Sequence, residues 1–499
     1  MHLVLSRPAP RTPGAQSFLA AGPKGLFLDG AWHPAPADFA SHDPATGAEL
    51  ARIARGTAAD VDAAVASAAA ALERADWAGM LPAARGALLW RIADLIDAHA
   101  DELAEIETLD QGKTLATARM AELPGAIAQF RYYAGFATKI HGQTIRPSIG
   151  YAPPGKQVMA YTRPEPIGVV AAIVPWNSPL LMAAMKLAPA LCSGCTVVLK
   201  PAEETSLTAI RLMDLLAEAG LPPGVVNLVT GYGHEVGAAL AAHPGVAKVA
   251  FTGSTEVGRL LLDAARGNLK KLTLELGGKS PAIVMPDADL SLAIPGVARG
   301  IFANSGQVCV AGSRVYAHRA VFDALAEGLS RQAGTLRLGH GLDPDSQLGP
   351  LIHADHAARV AGFVAEARSA GAQVLAGGSA QGAFHAPTVI TGADPSSRLM
   401  RDEIFGPVVA LTPFDDVEEA ISLANDSAYG LAASIWTENL SHAHRVSAAL
   451  RAGTVWVNCH SYFSPELPKG GMKESGWGVE NGLAGLENYM ETKTVCMVV

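Results

Sequence analysis

From Gly168 onward the chain adopts a rhythm that few folds can accept: short apolar runs rich in β-branched residues, separated by helix-like stretches. The runs are Gly168–Val174, Thr196–Leu199, Val225–Val229, Val246–Phe251 and Lys271–Leu276, and between them lie Thr205–Ala219, His234–Ala242 and Thr255–Ala265. A strand that is apolar along its whole length has no face to offer water. The pattern therefore predicts βαβ units and a parallel sheet covered on both sides. The rhythm returns less regularly at Ala282–Met285, Arg314–Ala317, Val374–Ala376 and Val455–Asn458, which predicts a second α/β domain. Upstream, about Ala58 to Leu109 reads as Ala-rich helix, with Asp60 and Asp101 near helix starts. Residues 1–25, rich in Pro, Ala and Gly, read as a loose arm. The segment Asn488–Val499 reads as a terminal strand that is expected to pair with another subunit, since an exposed apolar edge invites aggregation.

At about 150 residues per domain, 499 residues suggest three domains or fewer large ones. Apolar residues at 49% against 17% charged supply large cores and exclude a disordered chain. With 38 Lys+Arg against 47 Asp+Glu and no basic run, nucleic acid and anionic membrane are poor partners. Five scattered cysteines make no disulfide framework, which points to a reducing, cytoplasmic setting. The N-terminus does not read as a secretory signal, because Leu3 to Leu5 is soon followed by Arg7, Pro8, Pro10 and Arg11. Pro166 to Met185 lacks a formal charge, but three prolines and Trp176-Asn177-Ser178 make it a strand, a turn and a helix start rather than a membrane span.

Several turns could carry chemistry. Gly231-Tyr232-Gly233-His234-Glu235-Val236-Gly237 follows a strand and opens a helix, but its last glycine falls one position late for a dinucleotide fingerprint; a simple tight turn explains it as well. Phe251-Thr252-Gly253-Ser254-Thr255 offers backbone N–H groups and a hydroxyl that suit a phosphate, or merely a helix cap. Lys200-Pro201-Ala202-Glu203 projects from the carboxyl edge of a sheet, where open α/β folds bind ligands; a solvated ion pair is the plain alternative. Cys309 on its own reads as an inert core thiol. Glu275, ending an apolar strand before Gly277-Gly278, and Asn177 change that reading. Thiol, carboxylate and amide together supply nucleophile, base and oxyanion donor. Cys192-Ser193-Gly194-Cys195 has metal or redox spacing without a second ligand pair, and His353 with His356 lacks a third ligand, so no metal is expected.

Pro175-Trp176-Asn177, Lys200-Pro201-Ala202-Glu203, Phe251-Thr252-Gly253-Ser254, Glu275-Leu276-Gly277-Gly278-Lys279-Ser280, Gly306-Gln307-Val308-Cys309 and Glu403-Ile404-Phe405-Gly406-Pro407 occur in this order. As a set, from about Leu26 to the C-terminus, they resemble the NAD(P)-dependent aldehyde dehydrogenase superfamily. The resemblance implies Cys309 as thiol nucleophile, Glu275 as general base, and Asn177 with the Cys309 backbone N–H as oxyanion hole. It places Trp176 and Lys200 beside the adenosine of the cofactor (NAD, with NADP possible) and Glu203 on its ribose. Ser254 and the Gly233 turn would lie near the pyrophosphate, with Glu403 and Phe405 on the nicotinamide ribose and ring. Ile173, Val174, Gly237, Phe251, Gly253, Val257 and Leu276 would complete the cofactor lining. Lys186 and Glu480 match a proton relay, although Val479 stands where Arg is common. The implied architecture is a Rossmann-like cofactor domain (26–142 and 163–276), an α/β catalytic domain (277–480) and a β oligomerisation arm (143–162 with 481–499), giving a homodimer or homotetramer.

The implied reaction oxidises an aldehyde to the acid through a thioester on Cys309. Glu275 argues against an acylating enzyme that passes the acyl group to coenzyme A. A cysteine esterase would leave the cofactor motifs unused, and a retired structural protein could have lost Cys309 or Glu275. Asn458-Cys459-His460 and Tyr132-Tyr133-Ala134-Gly135 are similar to phenylacetaldehyde dehydrogenases, favouring an aromatic or arylalkyl aldehyde over a carboxylated semialdehyde. Ser178 and Lys469 stand where the family often carries aromatics. Lys469 is expected either to snorkel to solvent or to place a cation at the tunnel mouth for an anionic substrate.

Overall fold

The computed structural model describes residues 3–4, 8–148 and 152–499. Its largest sheet has eight strands in the spatial order Gly476–Trp477, Lys271–Glu275, Lys248–Thr252, Val169–Ile173, Thr196–Lys200, Val226–Leu228, Leu26–Leu28 and Ala31–His33. The central five are parallel, as their unbroken apolar faces require, and antiparallel strands close both ends. Strand order reverses between Val169–Ile173 and Lys248–Thr252, so a crevice opens beyond their carboxyl ends. Ile173, Lys200, Thr252 and Glu275 all terminate strands at this edge. The strand Gly476–Trp477, drawn from beyond residue 277, joins this first sheet through Leu274↔Trp477 and Glu275↔Gly476.

A second, seven-stranded sheet runs Gln373–Ala376, Thr388–Thr391, Val408–Phe414, Arg314–His318, Pro281–Val284, Ala432–Trp436 and Thr454–Val457. All neighbours are parallel except the edge strand Gln373–Ala376. Sequence periodicity missed Thr388–Thr391, Val408–Phe414 and Ala432–Trp436. The last is built from Ala-Ala-Ser-Ile-Trp, whose small residues carry little strand preference and are buried only because strands flank them on both sides.

One expectation needs correction. Residues 1–25 are not a loose arm throughout, although residues 1–2 and 5–7 lie outside the described set. Pro13–Ala20 is a helix capped by Thr12, with Ala15 buried. The buried Glu105 accepts hydrogen bonds from the backbone N–H groups of Arg11 and Thr12 and from the Thr12 hydroxyl at 2.7 Å. That anchor lies 93 residues away from Thr12, so local composition could not show it. The terminal strand, Met490–Val498, finds its first partner within its own chain. It pairs antiparallel with Val158–Pro166, which in turn pairs with Thr144–Ile145. Its other edge has no partner strand among the described residues, and residues 149–151 of the expected arm lie outside that set. Pro166 to Met185 is strand end, strand and helix start, and no helix among the described residues is long and apolar enough to cross a membrane.

Candidate active site

Cys309 follows three consecutive residues in the left-handed region: Asn304 (φ 48°), Ser305 (φ 54°) and Gly306 (φ 73°). Such backbone is costly for non-glycine residues and persists only where its surroundings hold it. Here Ser305 Oγ donates to the Gly349 carbonyl at 2.7 Å, and Gln307, fully buried, accepts from the Ile352 N–H at 2.9 Å. A Cβ on Gly306 would stand 2.2 Å from the Gly406 backbone, and one on Gly278 would stand 2.4 Å from the Cys309 carbonyl oxygen. The glycines of two motifs thus let three backbone segments converge on the thiol.

Glu275 is 1% exposed and neither of its carboxylate oxygens has a hydrogen-bond partner. Withdrawal from water pushes its carboxyl up from the ordinary range, against the opposing pull of Lys469. Burial likewise raises the Cys309 thiol; Lys469 opposes this, while Glu275 and Glu403 add to it. Asn177 Nδ2 donates to the Gln307 carbonyl at 3.0 Å, beside the loop that carries Cys309. Behind Glu275, the buried Lys186 pairs with Glu480 and donates to Thr252 Oγ at 2.9 Å.

Lys469 neither snorkels to solvent nor stands at a tunnel mouth. Its side chain is only 8% exposed, with Nζ 3.6 Å from Glu275 Oε2 and 3.9 Å from Cys309 Sγ. Two backbone hydrogen bonds of 2.7 Å with Glu480 hold it there. The sequence flagged the residue but misplaced it, because the bridge that aims it inward depends on the fold of the last catalytic loop. Sequence reasoning missed a second buried cluster altogether: Lys113 with Glu107 and Glu122, beneath the Asn177 backbone. Nothing separates Gln111-Gly112-Lys113 from an ordinary helix end.

Along the crevice, Glu203 faces Lys200 at 3.1 Å and accepts the Gly233 N–H at 3.2 Å. Burial works to raise the Glu203 carboxyl, but Lys200 and that N–H hold it below its usual value. Gly233–Gly237 forms a π-helical turn ahead of Ala238–Ala242, and Gly237 packs beside the Lys200 stem. Ser254 caps the helix Thr255–Ala265 by accepting the Val257 N–H at 3.2 Å, leaving Val257 exposed at its first turn. Ile173, Val174, Phe251 and Leu276 are buried at the strand ends, and Gly253 lies against the Phe251 ring. At the far end Glu403 accepts the Gly278 N–H at 3.0 Å, and burial pushes its carboxyl up to about 7. Phe405 (φ 56°) meets Trp176 edge-on at 5.2 Å, and its carbonyl lies 2.7 Å from His356 Nε2. The Trp176 ring therefore sits at the Phe405 end, while its carbonyl accepts from Thr205, two residues past Glu203.

Of the remaining candidates, the buried thiols of Cys192 and Cys195 reach the carbonyls of Tyr133 and Tyr489. His353 caps a helix. Tyr133 is buried and donates to the Gly482 carbonyl. His460, whose ring lies 2.9 Å from both Ser434 Oγ and the Val310 carbonyl, braces the residue after Cys309.

A thiol, a buried carboxylate and a side-chain amide thus meet beside the carboxyl edge of a doubly wound sheet. The aldehyde dehydrogenase family model matches residues 32–495, and the chain belongs to that family. The chain is 47% identical over 480 residues to a phenylacetaldehyde dehydrogenase of Pseudomonas fluorescens, covering 95% of each chain. It is 45% identical over 475 residues to an NADP/NAD-dependent aldehyde dehydrogenase of Escherichia coli, covering 94% of each. Its fold superposes on an NAD+ complex of aldehyde dehydrogenase from Bacillus cereus with TM-score 0.95 and 42% identity, covering 98% of this chain and 99% of that one.

Proposed function

We propose that this aldehyde dehydrogenase oxidises an aromatic or arylalkyl aldehyde to its acid with NAD, using Cys309 as nucleophile and Glu275 as base. The observation that carries the reading is the approach of both groups to one atom, Lys469 Nζ, within 3.9 Å. The Cys309 thiolate adds to the aldehyde carbon; the C–S bond forms and the carbonyl oxygen takes the electron pair. Asn177 Nδ2 and the Cys309 backbone N–H are the donors for that oxygen. NAD supplies the hydride acceptor when bound, and the acyl group is then a thioester on Cys309. Glu275 takes a proton from water, the new oxygen bonds to the acyl carbon, and the C–S bond breaks to return the thiolate. Glu480, which pairs with Lys186, is our assigned relay for that proton beyond Glu275.

The crevice fits a dinucleotide. Carboxylates at both ends, Glu203 and Glu403, suit ribose hydroxyls, while Ser254 and the exposed first turn of Thr255–Ala265 suit a pyrophosphate. Gly233 and Gly237 leave room beside Lys200, and Trp176 with Phe405 offers an aromatic wall. The relative from Pseudomonas fluorescens and the Phe463 ring, 6.0 Å from Lys469 Nζ, support an aromatic substrate. Because the Lys469 charge already faces Glu275 and Cys309, it is a poor partner for a substrate carboxylate. The unpaired edge of Met490–Val498 supports a homodimer or homotetramer, and five free cysteines support a cytoplasmic protein.

NADH production across aromatic, aliphatic, amino and carboxylated aldehydes tests the reading. The highest kcat/KM is expected on phenylacetaldehyde-like substrates; a carboxylated semialdehyde outperforming them would overturn it.

A further inference from the structure

We propose that Lys469 is itself a catalytic residue: one ammonium, shared between Cys309 Sγ and Glu275 Oε2, serves as counter-ion to the nucleophile in the first half-reaction and to the base in the second. The inference rests on the assignment of Cys309 and Glu275 made above.

The geometry is that of a cation with two anionic claimants and full satisfaction from neither. Nζ lies 3.9 Å from the sulfur and 3.6 Å from the carboxylate oxygen, both longer than a good charge-assisted hydrogen bond. The side chain is buried, and paired backbone hydrogen bonds with Glu480 hold the main chain that carries it. Among the described residues, every other charge facing the thiol works against a thiolate or is already engaged. Glu275 and Glu403 are carboxylates, Glu480 is paired with Lys186, and His460, braced on Ser434 and Val310, has its ring pushed down to about 4 by burial. With the thiol free, Lys469 stabilises the thiolate before any aldehyde arrives. Once the sulfur is acylated it carries no charge, and the ammonium is left to Glu275 alone. That keeps the buried carboxylate ionised when it must take a proton from water.

The test is the pH dependence of Cys309 alkylation by iodoacetamide in the protein without aldehyde or cofactor, with the modified peptide identified by mass. The thiolate displaces iodide, so the rate reports the thiolate fraction. Lys469→Met should raise the midpoint by about one pH unit or more and slow alkylation at neutral pH by about tenfold. Lys469→Arg should restore the wild-type profile. Glu275→Gln should move the midpoint the opposite way, because removing the rival carboxylate leaves the ammonium to the sulfur. A Lys469→Met profile superimposed on the wild type would overturn the proposal, and so would Glu275→Gln slowing alkylation. If Lys469→Met does not fold, Lys469→Gln reads the same shift, and a wild-type midpoint in that variant would overturn the proposal. Turnover by Cys309→Ser tests the nucleophile assignment separately: retained turnover would sink that assignment whatever the alkylation profiles show.

Discussion

Two buried lysines flank the reaction centre, and they are built differently. Lys113 Nζ has three oxygens within 3.0 Å: it donates to Glu107 and to the Asn177 carbonyl, both at 3.0 Å, and pairs with Glu122 at 2.9 Å. An ammonium has three hydrogens, so this site is saturated and fixes one arrangement of the Asn177 loop. Ser178 Oγ joins it through Glu122 at 3.0 Å. Lys469 has two longer polar contacts among the described residues, at 3.6 and 3.9 Å, and remains free to redistribute its charge. A saturated buried cation holds a structure in place, whereas an unsaturated one can respond when a neighbour changes charge.

The largest effect on this comparison should come from Glu275→Gln. Steady-state turnover is expected to fall by about 10²–10⁴-fold while a stoichiometric burst of NADH survives, since only water activation is lost. In the wild type, burial has raised the Glu275 carboxyl, and a base works only when deprotonated. Deacylation should therefore rise with pH above the ordinary carboxylate range, and the Gln variant should lose that limb. Wild-type turnover in the variant would remove Glu275 as base.

Lys113→Met strips the saturated site instead. Two buried carboxylates are left uncompensated, at a cost of about 3–5 kcal/mol, read as an earlier urea unfolding midpoint. The pH profile of Cys309 alkylation should not move. An unchanged midpoint, or a shifted profile, would erase the distinction between the two lysines.

The smallest effect should come from Glu203→Gln at the ribose end. The carboxylate disfavours a 2′-phosphate, but Lys200 at 3.1 Å offsets part of its charge in a partly wet site. NAD preference over NADP should narrow by about fivefold at most, measured as the ratio of kcat/KM. A wild-type ratio would detach Glu203 from cofactor choice.

Legibility from sequence followed the range of the interactions. The five parallel strands of the first sheet announced themselves because each is apolar on both faces. The turns after them were visible as short runs of Gly, Ser, Thr, Lys and Glu. The helix Ala100–Gln111 shows the limit: Glu102, Glu105, Glu107 and Asp110 look like a solvated face, yet all are buried. Each has a partner supplied from elsewhere: Arg211 for Glu102, Thr12 for Glu105, Lys113 for Glu107 and Ser41 for Asp110.

By itself the sequence determined the sheet class, the edge that carries the motifs and the residue types able to do the chemistry, because strand burial and turn chemistry act over a few neighbours. Tertiary structure alone decided that Lys469 points inward and that the N-terminal helix docks on Glu105. Each of these depends on backbone groups distant in sequence, and a charge's environment is set by what the whole fold brings around it.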